Sequence, residues 1–410
     1  MRNSPDKPLS RGRVKLTSLQ GIEKMLGSII CAALGIPALL LPRRKRLKPA
    51  EVKKVLVVKF FGIGSLVLAS PFFLTARETF PEAEIHLLTL SSNKGIIPML
   101  PGIDRVHFVE LGGNTATAVL AYMMTLFRVN RGRFDVLIDM EFYTRASSVV
   151  TFASWAPVRI GYHSRGVYRG AIHNFRVPFN VYWHVTRNFI GLLSPFGVEV
   201  PENAPQPRLN IPEKADIEAA ATLTRLGVAQ RRFLVVNVNA GELAYERRWP
   251  VERFAQLTAR LCEKYGLAAL FIGSASEARY VERAVRPLRD AGCEAHNLAG
   301  EIGLECLIGL CRKSALTITN DSGPMHLAVA ARAPIAAFFG PETPMLYGPL
   351  GDGHLVFYQN LACSPCISIE HGKELVCWHQ TPFCQTAISV DKAFDGIEAR
   401  FAARLTRLKG

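Results

Sequence analysis

The stretch "KKVLVVKFFGIGSLVLASP" (Lys53–Pro71) decides the fold class of this chain. Its apolar, β-branched first part is typical of a buried strand, and a helix-like segment follows the glycines at 62 and 64. A strand that passes through a glycine turn into a helix is the first half of a βαβ unit. The residue after the second glycine is Ser65, at a place where anions or catalytic side chains are commonly held.

The same alternation of strand and helix recurs along the chain. Apolar runs at 83–90, 105–111 and 134–140 follow the opening strand, with helix-length segments between the first two. After a proline-rich stretch at 198–214, the rhythm restarts with "RFLVVNVNAG" and "LAALFIGS". We therefore predict an α/β fold of two Rossmann-like halves, each with a parallel sheet, and a cleft between them.

This rhythm predicts five parts of the chain. They are a basic and apolar segment (1–50), an N-terminal Rossmann-like domain (51–200), a linker (201–230), a C-terminal Rossmann-like domain (231–388) and a C-terminal helix (389–410). The last has apolar residues at helical spacing, and Ser389 is predicted to cap it.

The composition indicates a folded, basic protein with anionic partners. Of 410 residues, 49% are hydrophobic and 20% charged, which excludes a disordered chain. The 49 Lys and Arg outnumber 34 Asp and Glu, a balance that favours nucleic acid, an anionic membrane or phosphorylated ligands. We expect no nucleic acid, because no basic patch interleaved with aromatic residues is present.

The N-terminal part predicts contact with a membrane. An apolar run, Leu26–Pro42, lies between basic residues and the cluster "RRKRLK" (Arg43–Lys48). It is shorter than the roughly 20 residues of a spanning helix and contains Pro37. We predict a peripheral or monotopic protein at the cytoplasmic face of the bacterial inner membrane. A spanning helix, a buried helix and a cleaved signal are the alternatives.

The glycine turn resembles a dinucleotide fingerprint only in its first half. Gly62 and Gly64 begin the pattern G-x-G-x-x-G, but Val67 stands at the third glycine position. No acidic residue closes the second strand. A nicotinamide cofactor is therefore not expected.

Two motifs in the second half predict a phosphate site. In "NDSGPMHL", Asp321, Ser322 and Gly323 follow a strand and open a helix, and His326 lies one turn in. A helix start directs free N–H groups at an anion, although Asp321 or Ser322 capping the helix is the simpler alternative. In "NAGELAYERRWP", Gly241 leaves a strand and Arg247 precedes a helix, where an arginine neutralises a diphosphate or is merely solvated.

These motifs carry a resemblance to a known family. "VLVVKFFGIGSLVLASP", "ERRWPVERFAQL", "FIGSASE" and "NDSGPMHLAVAARAPIAAFFGPETP" resemble the heptosyltransferases of glycosyltransferase family nine, from about Lys53 to Asp391. The resemblance implies a GT-B fold and an inverting glycosyl transfer that needs no metal or other cofactor. It implies an ADP-heptose-like donor in the C-terminal half and a lipid-linked acceptor, such as a lipopolysaccharide core, in the N-terminal half.

The resemblance also implies roles for individual residues. Asp321, Ser322, Gly323 and His326 would lie against the donor diphosphate and sugar. Arg247 stands where the family usually has a lysine, and Glu277 resembles the acidic residue that binds the ribose.

Ser65 departs from the family pattern, because an aspartate that acts as catalytic base commonly stands there. Serine has neither the charge nor the pKa of a general base. Asp139 and Glu141, at the end of the fourth predicted strand, are the candidate replacements, predicted to face the cleft. An acceptor that is already ionised, or a catalytically silent sugar-nucleotide or glycan binding protein, are the alternatives.

Four cysteines cluster near the C-terminus. Cys363, Cys366, Cys377 and Cys384 have the spacing C-x2-C-x10-C-x6-C, with His371 and His379 between them. Such spacing suits a structural zinc ion, reduced thiols that stabilise a loop, or a disulfide or iron–sulfur arrangement. No catalytic role is predicted for the cluster.

Overall fold

The computed structural model describes residues 26–44, 47–110, 115–163, 167–241, 245–367, 377, 379 and 381–406. The predicted basic stretch before Leu26, the residues at 45–46 and His371 lie outside this range.

The N-terminal half forms a sheet of six parallel strands in the order β3-β2-β1-β4-β5-β6. The strands are β1 (Lys54–Val58), β2 (Glu84–Leu90), β3 (Arg105–Val109), β4 (Val136–Asp139), β5 (Val158–His163) and β6 (Phe175–Pro178). The helices are α1 (26–35), α2 (Ile63–Leu68), α3 (Ser70–Thr79), α4 (Thr115–Arg131), α5 (Ala146–Ala153) and α6 (Val185–Gly191). The strand order reverses between β1 and β4, and ligands bind beyond the carboxyl ends of strands at such a point.

The C-terminal half repeats this plan, with the order β12-β11-β10-β7-β8-β9. The strands are β7 (Phe233–Asn237), β8 (Ala268–Phe271), β9 (Ala295–Asn297), β10 (Leu316–Asn320), β11 (Ile335–Phe339) and β12 (His354–Tyr358). The helices are α7 (Lys214–Arg225), α8 (Val251–Tyr265), α9 (Ala278–Asp290), α10 (Leu304–Lys313), α11 (Gly323–Ala330), α12 (Pro344–Tyr347), α13 (Phe383–Thr386) and α14 (Val390–Leu405). Here the order reverses between β7 and β10.

The predicted α/β architecture with two parallel sheets is confirmed. The central strands β1, β7 and β10 are buried along nearly their whole length, which explains their continuous apolar runs. The stretch predicted as a linker includes α7, which packs closely on α10: a Cβ on Gly309 would lie 2.1 Å from the carbonyl oxygen of Ala215. Ser389 caps α14 as predicted, since its hydroxyl accepts a hydrogen bond from the Lys392 N–H at 3.1 Å.

The two domains touch where α2 meets α11. A Cβ on Gly64 would lie 2.9 Å from the Cα of Gly323 and 2.9 Å from Cδ2 of His326. Only glycine at position 64 permits this approach, which brings the first glycine turn against the helix that follows β10.

The apolar N-terminal run forms helix α1 and then a short 3-10 helix, Pro37–Leu39. Cys31, Ala38 and Leu41 are buried against Ile172 of the N-terminal domain. Among the described residues, no helix combines the length and the apolar character that crossing a membrane requires.

Candidate active site

The start of α11 is open on the side of the cleft. Its N-cap, Ser322, makes no side-chain hydrogen bond to the helix N–H groups, so the predicted capping role is not seen. Instead, the Ser322 hydroxyl accepts from the Asn237 amide at 2.9 Å and donates to the carbonyl of Asn320 at 3.0 Å. Pro324 has no N–H group and Met325 donates to the Ser322 carbonyl at 3.2 Å, so the Gly323 N–H, with the positive end of the helix dipole, is what the first turn offers to an anion.

Arg247 lies beside this helix start. Its Nε donates to the carboxylate of Asp321 at 3.0 Å, and its Nη2 donates to the Asp321 carbonyl at 2.5 Å. The Asp321 side chain is almost fully buried, whereas that of Arg247 is 20% exposed. The structure thus brings together two residues that the sequence placed in separate motifs.

Buried amides hold these loops in place. Asn237, at the end of β7, also donates to the Thr319 hydroxyl at 3.1 Å. Asn320, at the end of β10, accepts from the Trp249 N–H at 2.8 Å and donates to the Val238 carbonyl at 3.0 Å. Because these bonds cross from one strand end to the other, they fix the loop that carries Arg247 relative to α11.

Glu277 takes part in a second cluster at the end of β8. Its carboxylate accepts from the Ser274 N–H at 2.9 Å, as part of a capping box, and lies 3.6 Å from the Arg248 guanidinium. That guanidinium is stacked between the rings of Tyr245 and Tyr280, 4.5 Å and 4.4 Å from their centroids. The capping box gives Glu277 a structural role at the site where a ribose is predicted.

Gly241 ends the β7 segment with φ +72°, in the left-handed region that favours glycine. A Cβ there would meet none of the described residues within 4 Å. His326, in contrast, is buried one turn into α11, against Gly64 of the other domain.

The first glycine turn forms the opposite side of the cleft. Gly62 has φ +86° and precedes α2, so a side chain at this position would be strained. Ser65 is half-buried in the first turn of α2, one residue after the glycine that contacts α11. The hydroxyl of Ser65 is therefore close to the boundary between the domains.

Glu141 supports this turn from below. Its Oε1 accepts from the Lys59 ammonium at 2.7 Å, the Phe60 N–H at 2.7 Å and the Phe61 N–H at 3.2 Å. The residue is 1% exposed. All three bonds use Oε1, which leaves Oε2 as the oxygen that a proton could reach.

Asp139 lies deeper than the prediction of a cleft-facing carboxylate implied. It is fully buried and accepts from Ser147 at 2.8 Å, His173 at 3.1 Å and Arg169 at 3.2 Å. Burial by itself would raise the pKa of Asp139, but Arg169 and these hydrogen bonds lower it below its usual value. Its Oδ1 also accepts from the Glu141 N–H at 3.0 Å, so Asp139 positions Glu141.

Sequence reasoning missed a pair of tyrosines between the domains. The hydroxyls of Tyr143 and Tyr347 lie 3.3 Å apart. Burial raises the pKa of both phenols, and the Glu342 carboxylate adds to this, so both stay neutral. No motif signals this pair, because its members are distant in sequence and come from different domains.

Sequence reasoning also missed Asn239 as a candidate site residue. Its side chain is 3% exposed, yet neither the amide nitrogen nor the amide oxygen has a hydrogen-bond partner among the described residues. A Cβ on Gly273 would lie 2.9 Å from the amide nitrogen, so only glycine leaves this space beside β8. An unsatisfied amide is costly when buried, and a ligand bound at these strand ends would satisfy it.

The four predicted cysteines and His379 line one small cavity of about 20 Å³, enough for a single water or ion. All nine cysteines are free thiols. Burial raises the pKa of Cys384 to about 12 and raises that of Cys366, and the neighbouring thiols add to both shifts. Within the described part of the chain, however, no three Cys, His, Asp or Glu residues are arranged to hold a metal ion.

Two parallel-sheet domains, each with a point where the strand order reverses, that meet across a cleft have the architecture of the GT-B class of glycosyltransferases. Comparison with known families agrees: the model of glycosyltransferase family 9 (heptosyltransferase) matches residues 124–376. The chain belongs to this family and is a glycosyltransferase.

Individual relatives support the same assignment. The chain is 24% identical over 308 residues to lipopolysaccharide heptosyltransferase 2 of Escherichia coli, which covers 72% of this chain and 85% of that protein. A family 9 glycosyltransferase of Veillonella parvula has the same fold, with a TM-score of 0.70 at 21% identity over 88% of this chain and all of that one. The ADP-heptose lipopolysaccharide heptosyltransferase II of E. coli matches with a TM-score of 0.66 at 20% identity, over 85% and 99%.

Proposed function

We propose that this protein transfers heptose from an ADP-heptose-like donor to a lipopolysaccharide core or a similar lipid-linked acceptor. The observation that carries the proposal is the placement of Arg247 and Asp321 at the open start of α11. The names of the most similar curated relatives supply the sugar and the acceptor. In this assignment, 51–200 forms the acceptor domain and 231–388 the donor domain.

The donor site would act on the leaving group. As the bond from sugar to diphosphate breaks, negative charge grows on the departing nucleoside diphosphate. The Gly323 N–H at the positive end of the α11 dipole and the Arg247 guanidinium would stabilise that charge without reorganisation. The residues assigned to donor binding are Gly241, Arg247, Glu277, Asp321, Ser322, Gly323 and His326, and we add Asn239.

The acceptor would approach from the opposite domain. The turn at Gly62 and Gly64 lies across the cleft from the donor site, so the acceptor oxygen would attack the face of the sugar opposite to the diphosphate. Such an in-line attack inverts the configuration at the anomeric carbon. The charge on the leaving group is met by Arg247 and the Gly323 N–H, and we therefore propose that no metal ion is required.

Glu141 is our candidate for the base, with Ser65 orienting the acceptor hydroxyl. The Lys59 ammonium and two backbone N–H groups hold Oε1, and Oε2 would accept the proton. Asp139, proposed from the sequence as a second candidate base, is assigned to positioning Glu141. Because Ser65 replaces the usual aspartate, a silent protein that binds donor without turnover is the second candidate function.

We propose two further features outside the cleft. The segment at 26–44 would associate peripherally with the cytoplasmic face of the inner membrane, through its apolar side chains and basic flank. The cysteines at 363, 366, 377 and 384 would hold a structural zinc ion, since a cation would offset the raised pKa of the Cys366 and Cys384 thiols.

A panel experiment tests the function. The purified protein is incubated with several nucleotide sugars and with core-type or other lipid-linked acceptors, with and without EDTA. We expect release of ADP from ADP-heptose, formation of an inverted product by NMR, and no effect of EDTA. Donor binding without nucleotide release across the panel would establish the silent protein instead, and preference for another sugar would overturn the heptose assignment.

A further inference from the structure

Large apolar side chains are exposed on two separate elements of the N-terminal domain. The first is the segment formed by α1 and the 3-10 helix. The second is α4, which lies in the middle of the domain's sequence. Their exposed members are Leu26, Ile29, Ile30, Ile36, Leu39 and Leu40 on the first and Val119, Leu120, Met123, Met124 and Phe127 on the second. Together they exceed the isolated apolar residues that are normal on a soluble surface.

The α4 residues form a single stripe. Their spacing of one, three and four places them on one face of the helix. The opposite face of α4 already packs on the domain, through buried Val129 and half-buried Tyr122 and Leu126. The exposed stripe is therefore additional to the face that the fold requires.

Both elements flank α5 and belong to one surface. On one side, the Tyr122 hydroxyl donates to the carbonyl of Ala146 at 2.6 Å. On the other side, Phe152 of α5 packs with Leu34 and the buried residues of the N-terminal segment. The two apolar stripes thus lie on elements that contact the same helix, α5. We call this combined surface the apolar face.

The charge around the apolar face is uniformly positive. No Asp or Glu occurs in residues 24–50, 111–134 or 142–198, the segments that build this face and its surroundings. Arg128, Arg131 and Arg133 are exposed at the end of α4, and the Arg131 guanidinium lies 4.6 Å from the Phe127 ring centroid. On the other flank, the backbone N–H of exposed Arg44 donates to the Pro157 carbonyl at 3.2 Å, close to exposed Trp155.

We propose that the apolar face, including α4, docks on a bilayer that contains anionic lipids. An apolar surface edged by arginines and a tryptophan matches the boundary between acyl chains and phosphate headgroups. Long basic side chains reach the headgroups while their stems cover apolar surface. A protein partner would need to be both apolar and acidic, and nothing on the chain indicates one. Membrane contact therefore extends beyond the N-terminal segment to a helix with no sequence signal for it.

Docking through this face has a consequence for the cleft. Helix α4 begins shortly after the carboxyl end of β3, and Gly27 of α1 lies against Arg145, just beyond the carboxyl end of β4. The apolar face thus runs up to the edge of the sheet on which the cleft opens. This orientation, which rests on the proposed function, would bring the sugar of a lipid-linked acceptor to the cleft without removing its lipid from the bilayer.

Vesicle flotation of the full chain tests the proposal. Vesicles of phosphatidylcholine alone are compared with vesicles that also contain phosphatidylglycerol. We expect the wild type to bind the anionic vesicles and Leu120→Gln/Phe127→Gln to bind them about tenfold more weakly, equivalent to about 1.4 kcal/mol. The matched control is Ile217→Gln on α7, equally exposed but in the other half of the chain, which should leave binding unchanged.

Each other outcome would overturn the proposal. Unchanged vesicle binding by the α4 double variant, with a wild-type melting temperature, would confine membrane contact to the N-terminal segment. A wild-type dimer that the same substitutions convert to a monomer, without vesicle binding, would show that a second copy covers the face.

Fluorescence quenching gives a second readout. Brominated lipid should quench the fluorescence of Trp155, and this quenching should disappear in Trp155→Phe. Transfer to a delipidated acceptor should be unaffected in all of these variants.

Discussion

The Arg247 guanidinium donates hydrogen bonds to both the side-chain carboxylate of Asp321, at 3.0 Å, and the backbone carbonyl of Asp321, at 2.5 Å. The pair joins the loop after β7 to the first residues of α11, the two segments that flank the switch point of the donor domain. A single guanidinium thus fixes the loop against the helix start and places positive charge there, where we propose that the diphosphate binds.

Replacing Arg247 by alanine should lower kcat/KM by about 10²–10³-fold, because charge stabilisation of the leaving group is lost. The unpaired Asp321 carboxylate would also repel the diphosphate, so Arg247→Ala/Asp321→Asn should bind donor better than Arg247→Ala. Steady-state rates and donor titration by calorimetry measure both effects. Arg225→Ala, which removes an exposed pair with Glu301, is the control and should behave as wild type. Full activity of Arg247→Ala would contradict the donor-site assignment.

Glu141→Gln tests the base. The amide oxygen can still accept the hydrogen bonds made at Oε1, but the buried Lys59 loses its carboxylate, so we expect a lower melting temperature as well as the loss of the proton acceptor. We expect nucleoside diphosphate release to fall by about 10²–10⁴-fold, with little change in donor affinity.

Asp139→Asn provides the comparison for Glu141→Gln. It leaves the buried Arg169 without its carboxylate, and breaking a buried pair costs about 3–5 kcal/mol, so the main expected loss is in melting temperature. Turnover that is unaffected by Glu141→Gln in a folded enzyme would rule Glu141 out as the base.

The burial of His184 leads us to expect a loss of stability in mild acid. Its Nε2–H donates to the Gly348 carbonyl at 3.1 Å, across the domains, and its Nδ1 accepts from the Thr186 N–H at 3.3 Å. Burial lowers the pKa of His184 from 6.5 to about 4, against the opposing effect of the Gly348 bond. The folded state therefore keeps His184 neutral, while the unfolded state takes up a proton below pH 6.5.

The stabilisation is thus present above pH 6.5 and is lost as the pH falls towards 4, by up to about 3 kcal/mol. The pKa values of buried His173 and half-buried His354 are shifted in the same direction, so the pH dependence is compared between variants. Denaturant titrations should show a shallower pH dependence for His184→Gln than for wild type, and an unchanged one for the exposed His163→Gln. Equal slopes in all three proteins would remove His184 as the cause.

Metal analysis tests the cysteine cluster. We expect stoichiometric zinc in the purified protein, lost in Cys384→Ser together with several degrees of melting temperature, and retained in the control Cys293→Ser. Iron in place of zinc would favour the iron–sulfur arrangement. No metal with an unchanged melting temperature would favour reduced thiols or a disulfide.

Local sequence determined much of the fold. The strand bounds at β2, β3 and β4 agree with the apolar runs to within two residues at each end. Glycine turns and helix caps depend on neighbouring residues, which is why Gly62, Gly241 and Ser389 could be assigned from sequence alone. The start of a helix directly after β10, at Gly323, was predictable for the same reason.

Only the tertiary structure determines which side chains are enclosed by other residues and which remain accessible. Asp139 is the last residue of β4, a position typical of a cleft residue, but Arg169 and His173, about thirty residues further along the chain, enclose it. Packing between distant segments also produces three other features. They are the Asn239 amide without hydrogen-bond partners among the described residues, the Tyr143–Tyr347 contact and the exposed stripe on α4. Periodicity predicts that a helix forms, but the free energy of burial, summed over the whole domain, determines which of its faces stays exposed.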